Sequence, residues 1–245
     1  MLHQYNRHIY IVLLSIITLC LLCDYIPALR FLSSWVTPPM VLFIGFVFAL
    51  LLTPPLISRG ISFHADGLSL LSLIVFMISM ILLYGASTTY HTFDISPKVN
   101  KILKKIDHMM IFILIAGSYT PICIVALHNK VGYILLALVW ALALIGIIFK
   151  FFWVTCPKWV SSIIYIGMGW VCVFAMPQLV TNLSTPAFMW LLAGGIIYTI
   201  GGILYALKLD AFNHRFQYFG SHEIFHCFVM LGSLCHYIVM YFYLL

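Results

Sequence analysis

Apolar residues follow one another along this chain in eight long runs, with short polar connections between them. A helix needs about 20 mostly apolar residues to cross the hydrocarbon core of a bilayer, and a lipid-facing segment must satisfy its own backbone hydrogen bonds. Each run is long enough to do so. The pattern predicts eight spanning helices, over residues 9–29, 39–58, 66–87, 108–128, 131–149, 159–181, 187–207 and 222–244.

The composition supports this interpretation. The 245 residues are 64% hydrophobic and only 7% charged, whereas soluble domains are about 25% charged. We therefore predict an all-α membrane protein: a seven-transmembrane-helix bundle core over residues 38–245, with an N-terminal extension, residues 1–37, that carries an additional helix. The seven cysteines are odd in number and scattered through apolar runs, so they do not indicate a disulfide framework.

The first run also has the length of a signal-peptide core. No small-residue cleavage site follows residues 9–29, however, and cleavage would invert the charge bias of every later connection. We interpret this run as an uncleaved spanning helix.

Lysine and arginine predict the orientation. Under the eight-span interpretation three of the twelve basic residues lie on one side and nine on the other, and the positive-inside rule places the larger group in the cytoplasm. Because these residues occupy short connections and form no stripe, the net charge of +6 indicates topology and not nucleic-acid binding. The nine are Arg30, Lys98, Lys101, Lys104, Lys105, Lys150, Lys158, Lys208 and Arg215.

Polar residues collect at three span ends, all on this lysine-rich side, although the histidines took no part in the charge count. Polar groups at membrane depth are costly, so a cluster of them suggests a functional site. Two of the pairs are four residues apart and therefore share a helix face. The residues are Ser87 and His91, Asp107 and His108, and His222 and His226.

Three imidazoles from two helices suggest a metal centre. Three nitrogen ligands leave one tetrahedral position of Zn²⁺ for water, as in catalytic zinc sites. Asp107 would then orient that water or accept its proton, and Ser87 would donate to a developing oxyanion. Each residue alone also has a structural explanation: a span-end histidine is often an interfacial hydrogen-bonding group, Asp107 could complement a helix dipole, and Ser87 could bond its own helix.

His222 to His226 also spells H-E-x-x-H, a zinc protease signature. Proteases of that type place a third ligand further along the chain, but Val229 and Gly232 occupy the corresponding positions. Glu223 lies about 100° around the helix from His222, which favours a supporting or surface role. The protease match is therefore accidental.

Five motifs occur in order along the chain: "ASTTYH" ending at His91, "DHMMIFILIAGSYTP" over 107–121, Met168-Gly169-Trp170, Gly194 to Tyr198, and His222 to His226. With these motifs the chain resembles the haemolysin III family, the bacterial branch of the progestin and adipoQ receptors, which is related to alkaline ceramidases. The resemblance covers roughly residues 38–245 and implies a zinc site near the cytoplasmic face. It implies His91, His222 and His226 as ligands, Asp107 as a contact through water, and Ser87 beside it.

Three functions follow as expectations. The first is a zinc-dependent hydrolase of the plasma membrane of a bacterium that cleaves a lipid amide or ester, with membrane lipids as its surroundings and a lipid-like molecule as its substrate. The second is a non-enzymatic sensor or receptor-like protein of lipid or membrane homeostasis, with a structural zinc. The third is a cytolytic haemolysin, which a pore-lining polar stripe would favour; no predicted span has one.

Overall fold

The computed structural model describes residues 38–207 and 220–245. Within these two ranges the chain has seven helical spans that are long and apolar enough to cross a membrane, and no strand. The predicted helical membrane fold is confirmed. The predicted first span, residues 9–29, lies outside the described residues, as do Lys208 and Arg215.

The helices follow one another with short connections. The fifth span, Lys158–Asn182, consists of three consecutive helical segments, and the third span also ends in a segment of different pitch. The helices are α1 (Pro38–Ser62), α2 (Gly67–Thr92), α3 (Pro97–Pro121) continued by a π-helical turn (Ile122–Leu127), α4 (Lys130–Phe152), α5 (Lys158–Gly169) continued by a 3₁₀ turn (Trp170–Ala175) and α6 (Met176–Asn182), α7 (Thr185–Leu207) and α8 (Ser221–Phe242).

Six spans form a closed ring. Helix α1 packs on α2, α2 on α3, α3 on α5, α5 on α7, α7 on α8, and α8 returns to α1. Helix α4 lies outside the ring against α3. The ring encloses the interior cavity described below, and the outer positions of its helices present leucine, isoleucine and phenylalanine, the side chains expected to face lipid.

The third span begins earlier than its apolar run predicts. The pattern places its start at residue 108, whereas α3 begins at Pro97, after Ser96 accepts a hydrogen bond from the Val99 amide and caps the helix. The residues between Pro97 and residue 108 include several lysines, so they were not counted in the apolar run. A helix can nevertheless carry lysines where it leaves the bilayer. Asp107 is therefore not at the end of a helix but about three turns inside one.

Lys150 is not part of a solvated connection. It lies in the last turn of α4 and is fully buried, and its Nζ donates to Ser161 Oγ at 2.6 Å and to Cys156 Sγ at 3.1 Å. These bonds join the end of α4 to the start of α5. Lys150 is a structural tie in addition to any role in topology.

Tyr119 explains the irregular fifth span. Its hydroxyl donates to the Gly169 carbonyl at 2.5 Å and accepts from the Cys172 amide at 3.0 Å. These are the backbone groups left over where α5 ends and the 3₁₀ turn begins, and buried backbone groups without partners are costly. Tyr119 of the motif over residues 107–121 and Gly169 of the Met168-Gly169-Trp170 motif are thus direct partners.

Gly117, in the motif over residues 107–121, lets α3 approach α2 closely. A Cβ atom at this position would lie 2.3 Å from Ser79 Oγ and 2.6 Å from Ser79 Cβ, so a larger residue would force the two helices apart. Small residues at such crossings allow close helix packing within membranes. This contact helps to hold α3, and with it Asp107, against the helix that carries Ser87 and His91.

Candidate metal and lipid site

Three histidines converge at one end of the ring. Nε2 of His222 lies 3.3 Å from Nε2 of His91 and 3.2 Å from Nε2 of His226. One ligand nitrogen from each of the three residues lies within 4.8 Å of the other two. The structure brings together the three histidines that the sequence singled out, from positions 131 residues apart.

The secondary structure explains the convergence. His91 lies in the last turn of α2, and His222 and His226 lie one turn apart at the start of α8. A spacing of four residues puts both α8 imidazoles on one face, and that face is turned toward the end of α2. The rings are in mutual contact, with centroids 4.5 to 5.3 Å apart.

Asp107 lies in the same part of the interior. Its side chain is 8% exposed and lines one cavity with His222 and His226. Its Oδ2 is 3.3 Å from Nδ1 of His108, which lines the cavity too. A carboxylate held at membrane depth beside imidazoles can accept protons from groups that enter the cavity.

Ser87 is one turn before His91 on α2 and lines the same cavity. It is 2% exposed, and its Oγ has no hydrogen-bond partner among the described residues. A buried hydroxyl without a partner costs free energy, and two other buried serines of α2, Ser72 and Ser79, bond carbonyls of their own helix. Ser87 therefore retains a donor for a ligand.

Glu223 does not act on this cavity. Its Oε2 accepts a hydrogen bond of 2.7 Å from the Gly220 amide, so it caps the start of α8. It is buried and is not among the cavity-lining residues. The H-E-x-x-H match thus combines two histidines of the cluster with a helix cap.

An apolar cavity of about 160 Å³ extends from the histidines into the ring. Leucine, isoleucine and aromatic side chains of six spans form most of its wall, and no residue of α4 takes part. At its histidine end the wall includes Ser87, Asp107, His222 and His226, and at the other it reaches Leu179 and Phe188. The shape and chemistry suit a molecule with one polar end and an alkyl chain.

Sequence reasoning missed several residues of this cavity. His108 appeared next to Asp107 in the motif but received no role, and Tyr84, Tyr198 and His236 received none either. Tyr84 lies seven residues before His91 and Tyr198 seven before Tyr205, and because such an offset repeats a helix face, this spacing is the signal that could have identified these two.

The fold and site define a class: a multi-pass helical membrane protein whose ring of spans encloses an apolar cavity, with two members of a three-histidine cluster in the wall at one end. Its sequence matches the family described as haemolysin-III related over residues 7–237. The chain belongs to the haemolysin III family. The matched range includes the residues predicted to form the N-terminal helix.

Relatives agree with this assignment. Hemolysin-3 of Bacillus cereus is 39% identical over 182 residues, which are 74% of this chain and 79% of the relative. The hemolysin-3 homolog of Bacillus subtilis is 38% identical over 74% of this chain and 80% of its own length. The adiponectin receptor protein of Drosophila melanogaster is 27% identical over 66% of this chain and 40% of its own length.

Proposed function

We propose that this protein is a zinc-dependent hydrolase of a lipid amide or ester. The observation that carries the proposal is the convergence of three imidazole nitrogens at the polar end of an apolar cavity. The cavity would hold the acyl chain, and the polar end would hold the bond to be cleaved.

The histidine geometry fits a shared ion better than it fits hydrogen bonds. One imidazole nitrogen carries either one hydrogen or one lone pair, so Nε2 of His222 cannot form good hydrogen bonds to two neighbours at once. Two nitrogens bound to one tetrahedral zinc at about 2.0–2.1 Å lie about 3.3–3.4 Å apart. The two contacts of 3.3 and 3.2 Å match that separation. His91, His222 and His226 would hold the ion.

Zinc, when bound, supplies a Lewis acid and makes a water-derived nucleophile available at neutral pH. The chain supplies the remainder. Asp107 accepts the proton of the attacking water at its carboxylate and returns it to the leaving amine or alcohol. Ser87 donates its free hydroxyl hydrogen to the carbonyl oxygen as negative charge develops there. The apolar wall excludes bulk water and orients the acyl chain.

We further propose that this end of the ring faces the cytoplasm. The described lysines at the same end are Lys98, Lys101, Lys104, Lys105, Lys150 and Lys158, and the positive-inside rule places such residues on the cytoplasmic side. The family membership and the spans support a multi-pass integral membrane protein; the bacterial plasma membrane is part of this proposal.

A second candidate is a sensor or receptor-like protein in which zinc is structural. The histidines join the end of α2 to the start of α8, and an ion there would stabilise this junction without chemistry. Cytolysis, which the names of the two Bacillus relatives suggest, has less physical support, because the cavity is apolar along most of its wall and no polar stripe crosses the described spans.

The test is hydrolysis by the purified full chain in liposomes that contain an N-acylated or O-acylated lipid. We expect release of free fatty acid, its loss on treatment with a zinc chelator, and its return when zinc is added. If zinc-loaded, folded protein releases no fatty acid from either an amide or an ester, while chelation lowers its melting temperature, the structural-zinc candidate replaces the hydrolase.

A further inference from the structure

A second polar layer lies inside the cavity, seven residues from the histidine site on three separate helices. On α2 the layer contains Tyr84, seven residues before His91, and on α8 it contains Ser233, seven residues after His226. On α7 it contains Tyr198, seven residues before Tyr205, and the ring centroid of Tyr205 is 6.1 Å from that of His222. Seven residues are two helical turns, so each pair shares a face and the two layers are about 10 Å apart.

The three hydroxyl groups of this layer are hydrogen-bonded to one another. Tyr84 Oη donates to Ser233 Oγ at 2.7 Å, and Tyr198 Oη lies 2.8 Å from the same oxygen. Gly232 permits this arrangement, because a Cβ atom there would lie 2.9 Å from the Tyr198 ring. Ser233 is fully inaccessible and Tyr84 is 2% exposed, whereas Tyr198 is half-buried.

The positions of the hydrogens follow from the next bond. Ser233 has a single hydroxyl hydrogen, and it donates this hydrogen to the Val229 carbonyl at 3.0 Å. Ser233 Oγ is therefore an acceptor for both tyrosines, and each tyrosine uses its one hydrogen on Ser233. Each phenol oxygen keeps an acceptor lone pair but has no hydrogen left to donate. Both tyrosines line the cavity, whereas Ser233 does not.

We propose that this layer is a subsite for a hydroxyl group on the alkyl chain of the lipid. This inference rests on the proposed function, since it takes the cavity to be the acyl-chain site. A chain hydroxyl can donate to a phenol oxygen, which neither a methylene nor a ketone can do. His236, one turn beyond Ser233, lines the same cavity, and its Nδ1 has no hydrogen-bond partner among the described residues.

The depth of the layer predicts where the hydroxyl lies. At about 10 Å from the histidines, the tyrosines are level with roughly carbon 9 or 10 of an extended acyl chain whose carbonyl is at the metal site. The substrate class is then an amide or ester of a long-chain fatty acid that is hydroxylated near its middle. A saturated chain would desolvate the phenol oxygens without replacing the lost hydrogen bonds.

The experiment measures competition of free fatty acids with a fluorescent fatty acid for the purified, zinc-loaded full chain in detergent. Three acids are compared: octadecanoic acid, its derivative with a hydroxyl group at about carbon 10 (the hydroxy acid), and its derivative with a ketone at the same carbon (the keto acid). The ratio of dissociation constants is compared between variants, so that unequal partitioning of the acids into detergent cancels. The preference of each protein is its affinity for the hydroxy acid divided by its affinity for octadecanoic acid. We expect this preference to be about three- to tenfold larger in the parent than in the double variant Tyr84→Phe/Tyr198→Phe.

Two further variants sharpen the test. Tyr237→Phe removes a hydroxyl on α8 that bonds the Leu52 carbonyl outside the cavity, and it should keep the parent ratio. Ser233→Ala removes the acceptor of both phenol hydrogens, so the tyrosines can then donate into the cavity. In this variant the affinity for the keto acid, divided by that for the hydroxy acid, should be higher than in the parent.

The outcomes separate this inference from the proposed function. If both acids compete but their ratio is the same in the parent and in the tyrosine variants, the layer only ties helices together and the inference is wrong. If neither acid competes in the parent, the cavity is not an acyl-chain site, and the inference and the proposed function fail together.

Discussion

Replacing Asp107 with alanine is expected to lower the rate of lipid hydrolysis by about 10²- to 10⁴-fold, the usual contribution of a positioned general base. Ser87→Ala should lower it by about 10²- to 10³-fold, because it removes one donor to the oxyanion. Neither side chain is among the three proposed ligands, so zinc content should stay near that of the parent. The measurement is the initial rate of fatty-acid release, with metal content and melting temperature recorded for each variant.

Each variant has a matched control in the chain. Asp94→Ala removes a carboxylate just beyond α2 that bonds the Asn100 side chain and does not line the cavity. Ser72→Ala removes a buried serine of α2 that bonds the Ser69 carbonyl. Both controls should hydrolyse lipid at nearly the parent rate. Full activity in Asp107→Ala and Ser87→Ala would contradict the catalytic assignment and leave a metal that is structural only.

The second large effect concerns stability. If α2 and α8 bind zinc as proposed, the ion would stabilise the folded state by an amount set by its concentration relative to its dissociation constant, about 2.7 kcal/mol at a 100-fold excess. Chelation should therefore lower the melting temperature of the parent. His91→Ala and His226→Ala should each melt below the parent, and a chelator should have no additional effect on either variant.

His236→Ala is the matched control for this prediction, because it lies on α8 and is as buried as His226 but is ten residues further along the helix. It should keep the response to the chelator even if its own stability changes. A parent that melts at one temperature with and without chelator would argue against a bound ion that contributes to folding.

The spans were predictable because the bilayer demands long apolar helices, and the runs of this chain are interrupted clearly. The start of α3 was not, since its first three turns carry lysines and read as a connection. Proline ordinarily kinks or ends a helix, but α1 continues through Pro54 and Pro55 to Ser62. In membrane helices neighbouring helices and local adjustments can re-satisfy the freed backbone groups.

The candidate site was predictable as a set of residues, because four-residue spacing puts His222 and His226 on one face and the charge bias puts His91 at the same depth. The contacts that hold the site were not. Nothing in the sequence pairs Tyr119 with Gly169, or Tyr84 with Ser233, because these bonds join residues 50 and 149 positions apart. Glu223 was left open between two roles, and the bond to the Gly220 amide identifies it as a helix cap.

The proposed metal site is tested most directly by the zinc content of the full chain, purified in detergent without chelator, beside that of His91→Ala and His226→Ala. We predict about one zinc per parent chain and a loss in both variants, which would place ligands from α2 and α8 on one ion. A folded parent that contains no zinc would contradict the metal site and the hydrolase mechanism built on it.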